Sequence, residues 1–124
     1  MYFKSPEHKQ RLIAALQRLG KIYRDGVDVE YAAILYILTC TTGMWDRTES
    51  YVSAGGIDVQ SMLAEQHWSG GFGVLIRLGG NLFNGNERVD PLEFMQLDQD
   101  YYRVAVTAIS IRRFGWNPEE RVNS

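Results

Sequence analysis

The residue types best suited to chemistry stand in one stretch, Trp68-Ser69-Gly70-Gly71-Phe72-Gly73, followed a turn later by Arg77 and then by Asn81 and Asn84. Free backbone N–H groups at a helix N-terminus attract anions, and glycines let a phosphate come close to the backbone. Arg77 adds a guanidinium able to grip a phosphate or carboxylate through two hydrogen bonds. Ser69, Gly70, Gly71, Gly73, Arg77, Asn81 and Asn84 are therefore a candidate groove for a small anionic ligand such as a nucleotide. The plainer reading is a flexible cap before a helix whose Gly73–Asn84 face is a packing seam. The stretch lacks the Gly-Lys-Ser/Thr ending of a P-loop and the preceding strand of a dinucleotide fold.

Acid–base and metal chemistry find less to work with. His8 and His67 lie far apart in sequence, and neither belongs to a cluster with metal-ligand spacing. His8 falls in the first turn of a helix, where an exposed position is expected. Glu65 and His67 are too closely spaced to share a helix face. Asp98 and Asp100 read as helix caps, and no serine has a nucleophile-elbow context. Cys40 is the only cysteine, which excludes an internal disulfide framework. Its apolar run, Leu35–Cys40, makes it a buried inert thiol. No catalytic residue, metal site or cofactor is assigned.

The aromatic residues suggest recognition of another kind. Trp45, Tyr101, Tyr102 and Trp116 are candidate anchors for a protein partner, because aromatics and arginine dominate interface energetics. Each tryptophan (Trp45, Trp68, Trp116) also suits a simpler role, stapling a helix end or loop onto the core.

These residues need a scaffold. The chain has 124 residues, 45% of them apolar and 12% aromatic, enough for one compact core. The net charge of −2 gives no global pull toward nucleic acid or anionic membrane. Arg11, Arg18, Lys21 and Arg24 cluster early and Arg112, Arg113 and Arg121 late, as ordinary solvated surface. A helix-turn-helix over residues 6–40 would offer a reader helix too apolar for a DNA groove. With no long apolar run and no cleavable leader, a soluble, non-secreted, non-membrane protein is expected.

Ser5, Pro6 and Glu7 open a first helix, with Leu12, Ile13, Leu16 and Leu19 as its stripe and Gly20 as a stop. A second helix runs from an Asp28 cap to about Thr41 and is apolar nearly all round; a buried strand over Ile34–Cys40 is the alternative. Asp46–Ser53 reads as a short helix broken by Gly55-Gly56, and Asp58 caps another. The next helix spans Ser69 to Asn84, where Gly79-Gly80 signals a close approach or a kink. Asp90-Pro91-Leu92-Glu93 opens a short helix. Asp98 or Asp100 opens the last, which buries Val104, Ala105, Ala108, Ile109 and Ile111 and stops at Gly115. Residues 117–124 read as a flexible tail. No internal repeat is evident. The pattern predicts a single all-α domain, an irregular bundle of five to seven helices.

Phe3-Lys4-Ser5-Pro6-Glu7-His8-Lys9, Leu75–Gly85 and Leu92–Arg113 resemble a family of small helical proteins of unknown function found in Gram-positive bacteria and their phages. The resemblance covers about three-quarters of the chain and implies a helical fold and a phage or mobile-element setting, with no residue roles. By analogy, an accessory protein of this size binds and inhibits a host defence protein, or sequesters its signal. A host protein or a second copy of the chain is the expected partner, and a nucleotide is the alternative.

Overall fold

A computed structural model of the protein describes residues 1–65 and 67–118. Among these described residues, six α-helices and two 3-10 helices form a mainly α bundle, with two small hairpins. Helix α1 spans Pro6–Arg18 and α2 spans Val29–Leu38. Between them lies the hairpin of β1 (Ile22–Tyr23) and β2 (Gly26–Val27). Helix α3 (Thr42–Thr48) continues into a 3-10 turn, Glu49–Tyr51. A second hairpin pairs β3 (Val52–Ser53) with β4 (Gly56–Ile57) and leads into α4 (Val59–Glu65). Helix α5 covers Gly70–Asn84, a 3-10 helix Pro91–Gln96, and α6 Gln99–Phe114.

Helix α2 is central, with every residue from Tyr31 to Leu38 buried. A helix apolar on all sides can be stable only when surrounded, and α5, α6 and α1 pack around it. Among the described residues no helix is long and apolar enough to cross a membrane.

Several local expectations hold. Ser5 caps α1 by accepting from the His8 N–H, and Asp28 caps α2 through the N–H groups of Glu30 and Tyr31. Asp98 caps α6 through the N–H of Tyr101, and Gly115 ends it with φ +77°. Others need correction. The short helix expected over Asp46–Ser53 begins earlier, at Thr42, because the Thr41 hydroxyl accepts from the Met44 N–H. Ile109, assigned to the buried side of the last helix, is exposed. Asn117 lies among the described residues, next to Trp116 at a cleft against the first hairpin. Pro118 is also described, and the rest of the expected tail, 119–124, lies outside the described residues.

The largest correction concerns repetition. The helix–hairpin–helix unit occurs twice, offset by thirty positions, 22 against 52 and 28 against 58. Ile22 pairs with Val27 as Val52 pairs with Ile57, and Tyr23 with Gly26 as Ser53 with Gly56. The Asp28 N–H donates to Lys21 at 2.9 Å, and the Asp58 N–H to Tyr51 at 3.0 Å. In both units the aspartate side chain then caps the following helix. The units interlock: the Tyr31 hydroxyl of the first donates to the Ser53 carbonyl of the second at 2.8 Å.

Candidate functional site

The glycine-rich start of α5 is shaped by packing. Ser69 occupies the N-cap with extended backbone and no side-chain cap bond. Gly70 adopts φ +35°, a conformation that disfavours other residues. A Cβ at Gly71 would stand 3.0 Å from Leu97 Cδ2, so the missing side chain admits Leu97. Gly73 lies against Trp68.

One turn on, Arg77 grips Glu93 with two parallel hydrogen bonds, Nη2 to Oε1 at 2.7 Å and Nη1 to Oε2 at 3.0 Å. Such forked pairs are stronger and more directional than single ones. The Arg77 bonds and the Asp90 N–H hold the Glu93 carboxyl down at about 2. Asn81 donates from its amide to the Glu87 carbonyl, and the Asn84 side chain accepts from the Asn86 N–H. The stripe expected to line a ligand groove thus directs its polar groups at the chain's own 85–93 segment.

The twin glycines belong to the same arrangement. A Cβ at Gly79 would meet Ile34 of α2 at 3.0 Å, and one at Gly80 would meet Glu87 Cγ at 2.6 Å and Val59 Cγ1 at 2.9 Å. Of the two readings, close approach and kink, close approach is what these neighbours display.

The clamped segment ends in the 3-10 helix Pro91–Gln96, which is held from several sides. Asp90 and Glu93 form a capping box, Pro91 occupies the first turn, and Phe94 is buried. In a 3-10 helix residues three apart eclipse one another, so Leu92 and Met95 share a face. Both point to solvent, at 72% and 64% exposure. Two large apolar side chains held outward on a braced turn form an apolar platform. Sequence reasoning missed them: a short helix was expected there, and nothing local marks which of Leu92, Phe94, Met95 and Leu97 turns inward.

At the C-terminal end of the same 3-10 helix is a cleft of about 320 Å³, lined by Gln96, Leu97, Asp98 and Tyr101 and by Ser69, Gly71 and Phe72. The Phe72 and Tyr101 rings meet edge to face, 5.2 Å apart, and the Lys4 ammonium lies 4.4 Å over the Tyr101 ring. Burial raises the Tyr101 phenol above its ordinary value, so it stays protonated. Thus Tyr101 and the Ser69–Gly71 start, assigned to different candidate sites, share one cleft.

The other candidate anchors lie elsewhere. Tyr102 is exposed on the outer side of α6. Trp45, in α3, packs against the core, with the Arg18 guanidinium 5.9 Å from its ring. Trp116 follows α6 and contacts Phe3 at 5.8 Å. Trp116, beyond the end of α6, fits the simpler reading of a loop staple, whereas Trp45 packs from the middle of α3 and not from a helix end.

His8 is fully buried, contrary to the exposed position expected. Its Nε2–H donates to the Tyr36 carbonyl at 2.7 Å and its Nδ1 accepts from the Lys4 N–H at 3.1 Å. Phe3 and Tyr36 enclose the ring. Burial lowers it to about 4, which keeps it neutral. Burial likewise raises the Cys40 thiol to about 11, as expected of an inert thiol. The Arg47 guanidinium covers the Trp68 ring at 3.9 Å and donates to the His67 carbonyl. Among the described residues, no group of three His, Cys, Asp or Glu side chains is placed to hold a metal ion.

Comparison with family models, curated proteins and solved structures gives no match.

Proposed function

We propose that this protein is a non-enzymatic binding protein that associates stoichiometrically with another protein through the platform of Leu92 and Met95 and the adjoining Tyr101 cleft. The supporting observation is the outward presentation of two large apolar side chains on a segment braced by Arg77, Asp90 and Phe94. Large apolar side chains exposed on one face suit a role in interaction. A rigid anchor beside a cleft also loses little entropy when it docks.

The setting implied by the resemblance makes a bacterial host protein the proposed partner, and inhibition of a defence component the proposed outcome. The host cytoplasm is then the place of action. Retention of a small ligand or nucleotide along α5 has less support, since Arg77, Asn81 and Asn84 already hydrogen-bond within the chain. The test is the paired substitution Leu92→Glu and Met95→Glu. Both positions are exposed, so the fold is retained while the complex is lost. An intact complex would refute the assignment.

A further inference from the structure

Helix α6 carries a second apolar stripe on the side away from the core. Its inner face is made by Val104, Ala105, Ala108 and Ile111. The outer one is made by Tyr102, Val106 and Ile109, exposed to 41%, 42% and 40%. The spacing of four and then three residues puts them on one line along the helix. Asp98, the N-cap four residues before Tyr102, stands at one end of this line with one carboxylate oxygen on the Tyr101 N–H, and Arg113, four residues after Ile109, stands at the other; both are exposed.

This stripe reads the same way in both directions. Asp98 and Arg113 are equally distant from its centre between residues 105 and 106, as are Tyr102 and Ile109. Laid antiparallel across a twofold axis, two such helices put Asp98 against Arg113, Tyr102 against Ile109, and Val106 beside its own copy. Arg103, on the flank, falls level with Ala108 of the other copy, so no like charges are brought together there. Antiparallel alignment also opposes the two helix dipoles. Self-complementarity of this kind is what a twofold interface requires.

We infer that this face of α6 is occupied by a second copy of the chain, forming an antiparallel helix pair with an apolar centre and an aspartate–arginine pair at each end. The surface shares Asp98 with the Tyr101 cleft but not Leu92 or Met95, so Val106→Glu and Arg113→Glu test dimerisation apart from capture of a partner. A stripe of about 24 Å along one helix is at the small end of interface sizes, so the dimer is weak and concentration-dependent.

Sedimentation equilibrium from micromolar to sub-millimolar protein tests this. The wild type should shift from monomer to dimer mass, and added salt should weaken the shift by screening the end pairs. Val106→Glu should raise the dissociation constant more than ~10-fold, and Arg113→Glu about 10-fold. Asp98→Asn keeps a good helix cap while removing the charge. Added to Arg113→Glu, it should recover part of the lost affinity by relieving acid–acid repulsion. Far-ultraviolet circular dichroism checks that each variant remains folded. A wild type that is monomeric throughout would overturn the proposal, as would a dimer indifferent to Val106→Glu. A dimer weakened by Val106→Glu but untouched by Arg113→Glu would overturn the antiparallel register.

Discussion

Arg77 and Glu93, sixteen residues apart in the chain, are joined by a two-point hydrogen-bonded ion pair of 2.7 and 3.0 Å. Through it α5 fixes the 3-10 helix that displays Leu92 and Met95. The same carboxylate accepts the Asp90 N–H, so one side chain both caps the 3-10 helix and ties it to α5. Asn81 and Gly80 extend this contact along the helix, one by hydrogen bonding to Glu87 and the other by admitting its side chain.

Replacing Arg77 by alanine should therefore loosen the platform without melting the bundle. Amides of residues 86–97 should exchange with deuterium markedly faster, while those of α2 keep their protection and total helix content is unchanged. Because Glu93 is held below its ordinary value of 4.5, the contribution of the pair is complete above that pH. It is lost as pH falls from 4.5 toward 2. Uniform exchange across the chain, or none gained at 86–97, would contradict this role.

His8 sets a different pH window. Its folded value of about 4 lies below its ordinary 6.5, so the unfolded chain takes up the proton first as pH falls. Stability is full above 6.5 and declines through 4, by about 3 kcal/mol at about 1.4 kcal/mol per pH unit. Protonation would turn Nδ1 into a donor facing the Lys4 N–H, with the nearby Lys4 and Arg11 charges adding to the cost. Urea unfolding at pH 7 and pH 5 measures the difference. His8→Gln should be less stable than wild type at pH 7 and should flatten the dependence; an equally steep decline in the variant would place its origin elsewhere.

Gly80→Ala sets two opposing effects against each other. Alanine raises helix propensity by about 1 kcal/mol, but its Cβ would stand 2.9 Å from Val59 Cγ1 and 2.6 Å from Glu87 Cγ. Overpacking of this kind costs about 1–3 kcal/mol. Val59 is buried at the start of α4 and can yield only by moving that helix. A net loss of about 1 kcal/mol is expected in denaturant titration, and a stabilised variant would mean that α4 is free to shift.

The helix starts were legible because their signals are local. Ser5-Pro6, Asp28, Asp58, Asp90-Pro91 and Asp98 each act within one turn of the residue that carries the signal. The central place of α2 was legible from its all-round apolar sequence. The repeat was hidden because only Gly26, Asp28 and Val29 recur identically, as Gly56, Asp58 and Val59, across the hairpin and cap. Chain direction, turn closure and capping were retained while the side chains diverged. The burial of His8 depends on Phe3 and Tyr36, the latter twenty-eight residues away. The role of Arg77 was hidden for the same reason. Its spacing suits an anion, and the anion proves to be Glu93 of the same chain. Ile109 stands four residues after the buried Ala105, yet it is exposed on the outer stripe with Tyr102 and Val106.

The most direct measurement is a native mass spectrum of the protein purified gently from bacterial cells, taken beside the Leu92→Glu, Met95→Glu variant. The expected result is a discrete added polypeptide mass, one partner per chain, present in the wild type and absent in the folded variant. A bound mass of only a few hundred daltons, or the same polypeptide retained by both proteins, would contradict binding through the Leu92–Met95 platform.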